Sequence, residues 1–141
     1  MIDERICTVE ELKVFICEIL ESCKKNRVFL LRGDLASGKT TFVQEFSKVL
    51  GLNVNVTSPT FSVQNSYDDK LYHYDIYQNG VEGFLSSGLL EELEKDGYHL
   101  IEWGNKKLEN ILKQYFINYL VIDIKKENKN SRIYKVSKCI N

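Results

Sequence analysis

Proline occurs once in this chain, tryptophan once and methionine once, and neither charge sign dominates its 141 residues. No apolar run is long enough to cross a bilayer, and no basic leader followed by an apolar stretch opens the chain. A membrane partner and a secretory signal are therefore not expected, and the cytoplasm is the expected compartment. A formal net charge of −1 argues against the basic face that unaided nucleic-acid binding needs. The most basic stretch, Lys125 to Arg132, is cut by Glu127, Asn128, Asn130 and Ser131, and reads as a solvated hairpin tip. Cys7, Cys17, Cys23 and Cys139 show no C-x-x-C or Cys/His spacing, so a cysteine-based metal site has nothing to rest on. Cys17 and Cys23 lie six apart on a predicted helix, which suits buried, reduced thiols better than a bridge. Repeats, low complexity and linkers are absent too, and the length suits one domain over residues 1–141.

What is present is a phosphate-binding signature. Residues Gly33-Asp34-Leu35-Ala36-Ser37-Gly38-Lys39-Thr40 spell G-x-x-x-x-G-K-T, with Thr41 following. Upstream, Val28 to Leu31 is a short apolar run that reads as a buried strand. Downstream, Phe42, Val43, Phe46, Val49 and Leu50 recur at helical spacing, and Gly51 stands where a helix stop is expected. Strand, glycine-bounded loop and helix N-terminus together make a cradle whose backbone N–H groups face phosphates. Lys39 would then reach the β- and γ-phosphates and the Thr40 hydroxyl would ligate Mg²⁺. The chain is expected to bind a nucleoside triphosphate with Mg²⁺.

The remaining segments supply the frame. Thr8-Val9-Glu10-Glu11 has capping-box form, and Leu12, Phe15, Ile16, Ile19 and Leu20 then make one apolar helical stripe. Phe61 to Tyr67 and Lys70 to Tyr77 flank Asp68-Asp69 as a hairpin, and Asn79 to Asp96 carries one helical pattern. Tyr98 to Ile101 reads as a strand, Lys106 to Lys113 as a short helix, and Phe116 to Ile124 and Arg132 to Cys139 as two final strands. The sum is an α/β fold, a P-loop NTPase-like mixed sheet flanked by helices.

Two carboxylates stand at strand ends. In Tyr72 to Tyr77, alternation puts His73, Asp75 and Tyr77 on a polar face and Tyr72, Tyr74 and Ile76 on an apolar one. Asp75 suits either a Mg²⁺- or water-orienting carboxylate or a hydrogen-bonded strand end; His73 reads as a structural imidazole. Glu102 closes the strand that begins at Tyr98, where open α/β sheets hold ligands, and Trp103 beside it reads as core filling. Thr57 to Thr60 form a proline-stiffened loop suited to sensing a γ-phosphate.

Gly33 to Thr40, Ser58-Pro59-Thr60-Phe61, His73-x-Asp75-x-Tyr77 and Ile101-Glu102-Trp103 occur in the order and spacing of the TsaE (YjeE) family, which this chain resembles along almost its whole length. The resemblance implies a small ATPase of bacterial threonylcarbamoyladenosine synthesis on tRNA. It implies Thr40 and Glu102 as Mg²⁺ ligands, and Lys39 and Asp75 as catalytic, Asp75 positioning or deprotonating water. It places ATP contacts on residues 33–41, with adenine near Thr8, Val9 and Arg132. Its implied partners are the TsaB and TsaD proteins, with tRNA met only through them. The chain departs from the pattern in two places. Gln78 stands where the family has Arg, and Ala36-Ser37 replace Gly-Ala, which Ala36 tolerates cheaply only at negative φ. The rival readings are a small-molecule P-loop kinase, disfavoured because Arg132 is the one arginine beyond the loop, and a non-catalytic nucleotide switch.

Overall fold

The computed structural model describes residues 4–34, 36–57, 64–77 and 80–140. In chain order the elements are β1 (Glu4–Thr8), α1 (Val9–Ser22), β2 (Val28–Arg32), α2 (Lys39–Val49), β3 (Gln64–Tyr67), β4 (Leu71–Asp75), α3 (Gly80–Ser86), α4 (Leu89–Glu92), β5 (Tyr98–Glu102), α5 (Lys106–Gln114), β6 (Tyr119–Lys126) and β7 (Ser131–Ser137). All seven strands join one sheet in the order β1-β7-β6-β2-β5-β4-β3. The centre is parallel, β2 pairing with both β5 and β6 and β5 with β4, while β1/β7, β6/β7 and β3/β4 are antiparallel. The mixed α/β sheet expected from the sequence is therefore present.

The strand β2 shows why its sequence has no polar alternation. Phe29 and Leu31 point into a core shared with Phe15, Ile16, Phe42 and Phe46 of α1 and α2. Val28 and Leu30 point the other way, toward Phe84, Leu89, Leu108 and Leu112 of α3, α4 and α5. A central parallel strand covered on both faces must be apolar on both. The helix α1 begins as its sequence requires: the Glu11 carboxylate accepts the Thr8 backbone N–H at 2.9 Å, and Leu12, Phe15, Ile16 and Ile19 are buried. None of the described helices is long and apolar enough to cross a membrane.

Several expectations need correction. The stretch 79–96 is not one helix: Ser87 and Gly88 interrupt it, and Gly88 sits at φ +73° as the cap of α4. The strand expected from Phe116 starts only at Tyr119, because Phe116 adopts φ +57° just past α5 and stands 93% exposed. The strand β1 carried too short an alternation to be read from sequence. Its register with β7, Glu4 opposite Lys135 through Thr8 opposite Ser131, supplies what local pattern did not.

The thiol reading is also overturned. Cys23 forms a disulfide with Cys139, and Cys17 is exposed rather than buried. The bridge follows from topology: β7 runs antiparallel to β6 and so ends beside the C-terminus of α1. Asn26 stitches the same corner, donating to Lys138 O at 3.2 Å and accepting from the Ile140 N–H at 2.7 Å.

Candidate functional site at the glycine loop

The turn from β2 to α2 is shaped by its glycines. A Cβ on Gly33 would lie 2.4 Å from Ser37 Oγ and 2.5 Å from the Ile124 carbonyl, so only glycine fits. Gly38 caps α2 at φ +112°. Ala36, expected to need a negative φ, adopts +62° instead and is exposed. Replacing Ala36 by Gly relieves about 1–2 kcal/mol of left-handed strain and gives back about 0.5–1 kcal/mol in unfolded-chain freedom. The expected net is a rise in Tm of about 2–4 °C, checked by thermal melting without nucleotide; a lower Tm would contradict the strain.

The Lys39 side chain is buried and folded back on its own loop. Its Nζ donates to Gly33 O at 2.7 Å and Asp34 O at 2.9 Å, and stands 4.0 Å over the centre of the Trp103 ring. Burial holds the Lys39 ammonium below its ordinary pKa, with Glu102, Asp75 and Asp34 pulling the other way. At the next position, Thr40 Oγ1 donates to Glu102 Oε2 at 3.1 Å.

The two strand-end carboxylates come to the same place. Parallel pairing of β4 with β5 sets Asp75 opposite Glu102, and β2 beside β5 sets Glu102 beside the loop. A cavity of about 330 Å³ is lined by residues 36–41 of the loop and helix start, with Asp75, Glu102, Trp103 and Arg132. Asp75 Oδ1 accepts the Tyr77 N–H at 3.0 Å, and Glu102 is 3% exposed. A second cavity, of about 500 Å³, is lined by Thr8, Val9, Glu10, Gly38, Thr41, Lys129 and Arg132 among others. Gly38, Thr41 and Arg132 line both, so the two spaces adjoin as phosphate and base compartments would. Arg132, placed near the base by resemblance, also braces the loop: its Nε donates to Ser37 O at 2.8 Å.

The structure thus gathers Gly33, Asp34, Ala36, Ser37, Gly38, Lys39, Thr40, Thr41, Asp75, Glu102 and Arg132 around one loop, with Thr8 and Val9 beside it. Leu35, the Ser58-Pro59-Thr60-Phe61 stretch and Gln78 lie outside the described residues. Two neighbours carry more than the sequence reading gave them. Trp103 is no mere core filler: at φ +70° it meets both Lys39 and the Tyr77 ring, whose centroid is 4.6 Å away. His73 points its Nε2 at Glu102 Oε2, 2.5 Å away. On the face called polar, His73 is completely buried, Asp75 half-buried and Tyr77 exposed. The signal available for His73 was its spacing of two from Asp75.

The donor set suits a phosphate-borne hard cation. In the loop, Ser37 Oγ is buried without a partner among the described residues, a group that a phosphate oxygen would satisfy. Thr40 and Glu102 offer oxygen ligands of the kind Mg²⁺ takes. Among the described residues no group of three or more His, Cys, Asp or Glu could hold a metal alone. A cation shared with phosphates fits that arrangement.

Fold and loop together define an α/β protein with a glycine-bounded loop between a central strand and a helix N-terminus. Residues 6–134 match the family model described as threonylcarbamoyl adenosine biosynthesis protein TsaE, and the chain belongs to the TsaE family. Among its relatives, the Bacillus subtilis tRNA threonylcarbamoyladenosine biosynthesis protein TsaE is 36% identical over 104 residues, which cover 72% of this chain and 65% of that protein. The protein of the same name from Rickettsia typhi is 33% identical over 135 residues, covering 92% and 90%. The chain thus spans just under two-thirds of the first relative. A crystal structure of Bacillus subtilis YdiB superposes with a TM-score of 0.63 at 27% identity, covering 96% of this chain and 86% of that one.

Proposed function

We propose that this protein binds ATP with Mg²⁺ at the glycine loop, hydrolyses it slowly alone, and does so in support of threonylcarbamoyladenosine formation on tRNA. Its place of action is the cytoplasm, its partners are TsaB and TsaD, and it meets tRNA only through them. The observation that carries this reading is the convergence of Lys39, Thr40, Asp75 and Glu102 on one cavity at the N-terminus of α2.

Each residue has a task there. Lys39 exchanges the carbonyls of Gly33 and Asp34 for the β- and γ-phosphate oxygens. The N–H groups at the start of α2 aim the helix dipole at the same oxygens. Thr40 and Glu102 would hold Mg²⁺, which would supply neutralisation of the negative charge on the phosphates. Asp75 orients the attacking water, or takes its proton, from the neighbouring strand end. Arg132 is the described guanidinium lining the cavity, and it is committed to Ser37 O. Among the described residues no second guanidinium lines that cavity to stabilise the transition state, so turnover by the isolated protein is slow.

Purified protein assayed for Mg²⁺-dependent ATP turnover, alone and with the TsaB–TsaD pair, tests the reading. A rate that rises on adding the pair is expected. An unchanged rate with complex formation verified would favour a switch that binds nucleotide without using its hydrolysis.

A further inference from the structure

Glu102 Oε2 receives two donors: the Thr40 hydroxyl at 3.1 Å, and His73 Nε2 at 2.5 Å. The tie to Thr40 belongs to the loop. The tie to His73 needs its own explanation. His73 is fully buried on β4, flanked by Leu71 on its own strand and by Leu100, its register partner on β5. Both leucines are fully buried in the core beneath α1 and α2. An apolar side chain would satisfy that position as packing. Among the described residues the imidazole leaves Nδ1 buried with no partner, and its one polar contact there is the Glu102 carboxylate. A buried nitrogen left unmet is a cost that packing does not explain.

The sheet makes the contact directional. Asp75 and Glu102 are register partners, so His73 stands one diagonal step from Glu102 on the same sheet face. Across that diagonal a ring reaches what a shorter side chain would not. Both donors converge on Oε2, which fixes the carboxylate plane and leaves Oε1 without a bond among the described residues.

We propose that His73 is a positioning residue for Glu102, its Nε2–H setting the carboxylate so that a nucleotide-borne divalent cation meets an oxygen already in place. This rests on the Mg·ATP reading above. Partners behind a ligand fix its orientation, and removing one costs about 10–100-fold in metal affinity. The test measures binding of a fluorescent ATP analogue in EDTA and along a Mg²⁺ titration, for the parent protein, His73→Leu and His73→Gln. Manganese binding followed by EPR gives a second readout without turnover. His73→Leu is expected to raise the Mg²⁺ concentration for half-saturation by about tenfold while leaving affinity in EDTA unchanged. His73→Gln, whose amide nitrogen can donate where Nε2 does, is expected to restore the parent titration.

A Leu variant whose Mg²⁺ curve overlays the parent overturns the proposal, as does loss of affinity in EDTA and Mg²⁺ alike. If the Leu variant does not fold, Gln against Asn decides. Asn places its nitrogen where Nδ1 lies, so retention by Gln alone supports the role and equal behaviour overturns it. A parent protein whose nucleotide affinity ignores Mg²⁺ overturns the underlying reading, visibly before any variant is compared.

Discussion

Lys39→Ala is expected to bind ATP about 100-fold more weakly than the parent protein, with little change in fold. Two charge-assisted bonds to phosphate oxygens are each worth about 1.5–3 kcal/mol, and about 1.4 kcal/mol corresponds to a factor of ten. Part of that is offset, because Lys39 already spends its donors on Gly33 O and Asp34 O and its charge on the Trp103 ring. Removing it frees the carbonyls of Gly33 and Asp34, residues that line a neighbouring cavity where water can take the place of the ammonium. The stability cost is therefore small while the affinity cost is large. Isothermal titration with ATP and Mg²⁺ checks it. A dissociation constant within about threefold of the parent, below 1 kcal/mol, would remove Lys39 from the phosphate site.

Asp75→Asn is expected to split binding from turnover. The carboxamide is nearly isosteric, and its oxygen can still accept the Tyr77 N–H that Asp75 Oδ1 accepts now at 3.0 Å. The turn after β4 should hold, and nucleotide affinity with it. What is lost is the charge that orients or deprotonates water, a contribution of about 10²–10⁴-fold in rate. Single-turnover hydrolysis at saturating ATP measures this apart from binding. Parent-like hydrolysis by Asp75→Asn would reduce the residue to a strand-end hydrogen-bond acceptor. Of the two variants, the first tests whether the loop holds phosphate and the second whether the end of β4 does chemistry.

The parts legible in the sequence were those whose information is local. The glycine loop, the α1 stripe and the apolar β2 run each announce themselves within a dozen residues, through turn chemistry and through periods of 3.6 or 2. The errors fall where a local pattern was ambiguous or absent. The leucines of 79–96 keep helical spacing across a Ser87-Gly88 break that the spacing does not reveal. Phe116 looks like the first residue of a strand, yet its side chain stands almost wholly exposed. The residues of β1 become a strand because β7 offers an edge. Cys23 and Cys139 are separated by 116 positions, and no spacing rule joins them. The positive φ of Ala36 is imposed in a loop whose first glycine, Gly33, is wedged against Ser37 and the Ile124 carbonyl, which lies on a strand far along the chain.

The sequence alone determined which residues could make a phosphate cradle, since loop, strand run and helix start are neighbours in the chain. Only the tertiary structure decided that Thr40, Asp75 and Glu102 share a cavity wall, with His73 buried behind Glu102. That required β5 to lie between β2 and β4. Strand order is a long-range choice, made by burying both faces of a parallel centre under two helical layers, and no repeat period along the chain encodes it.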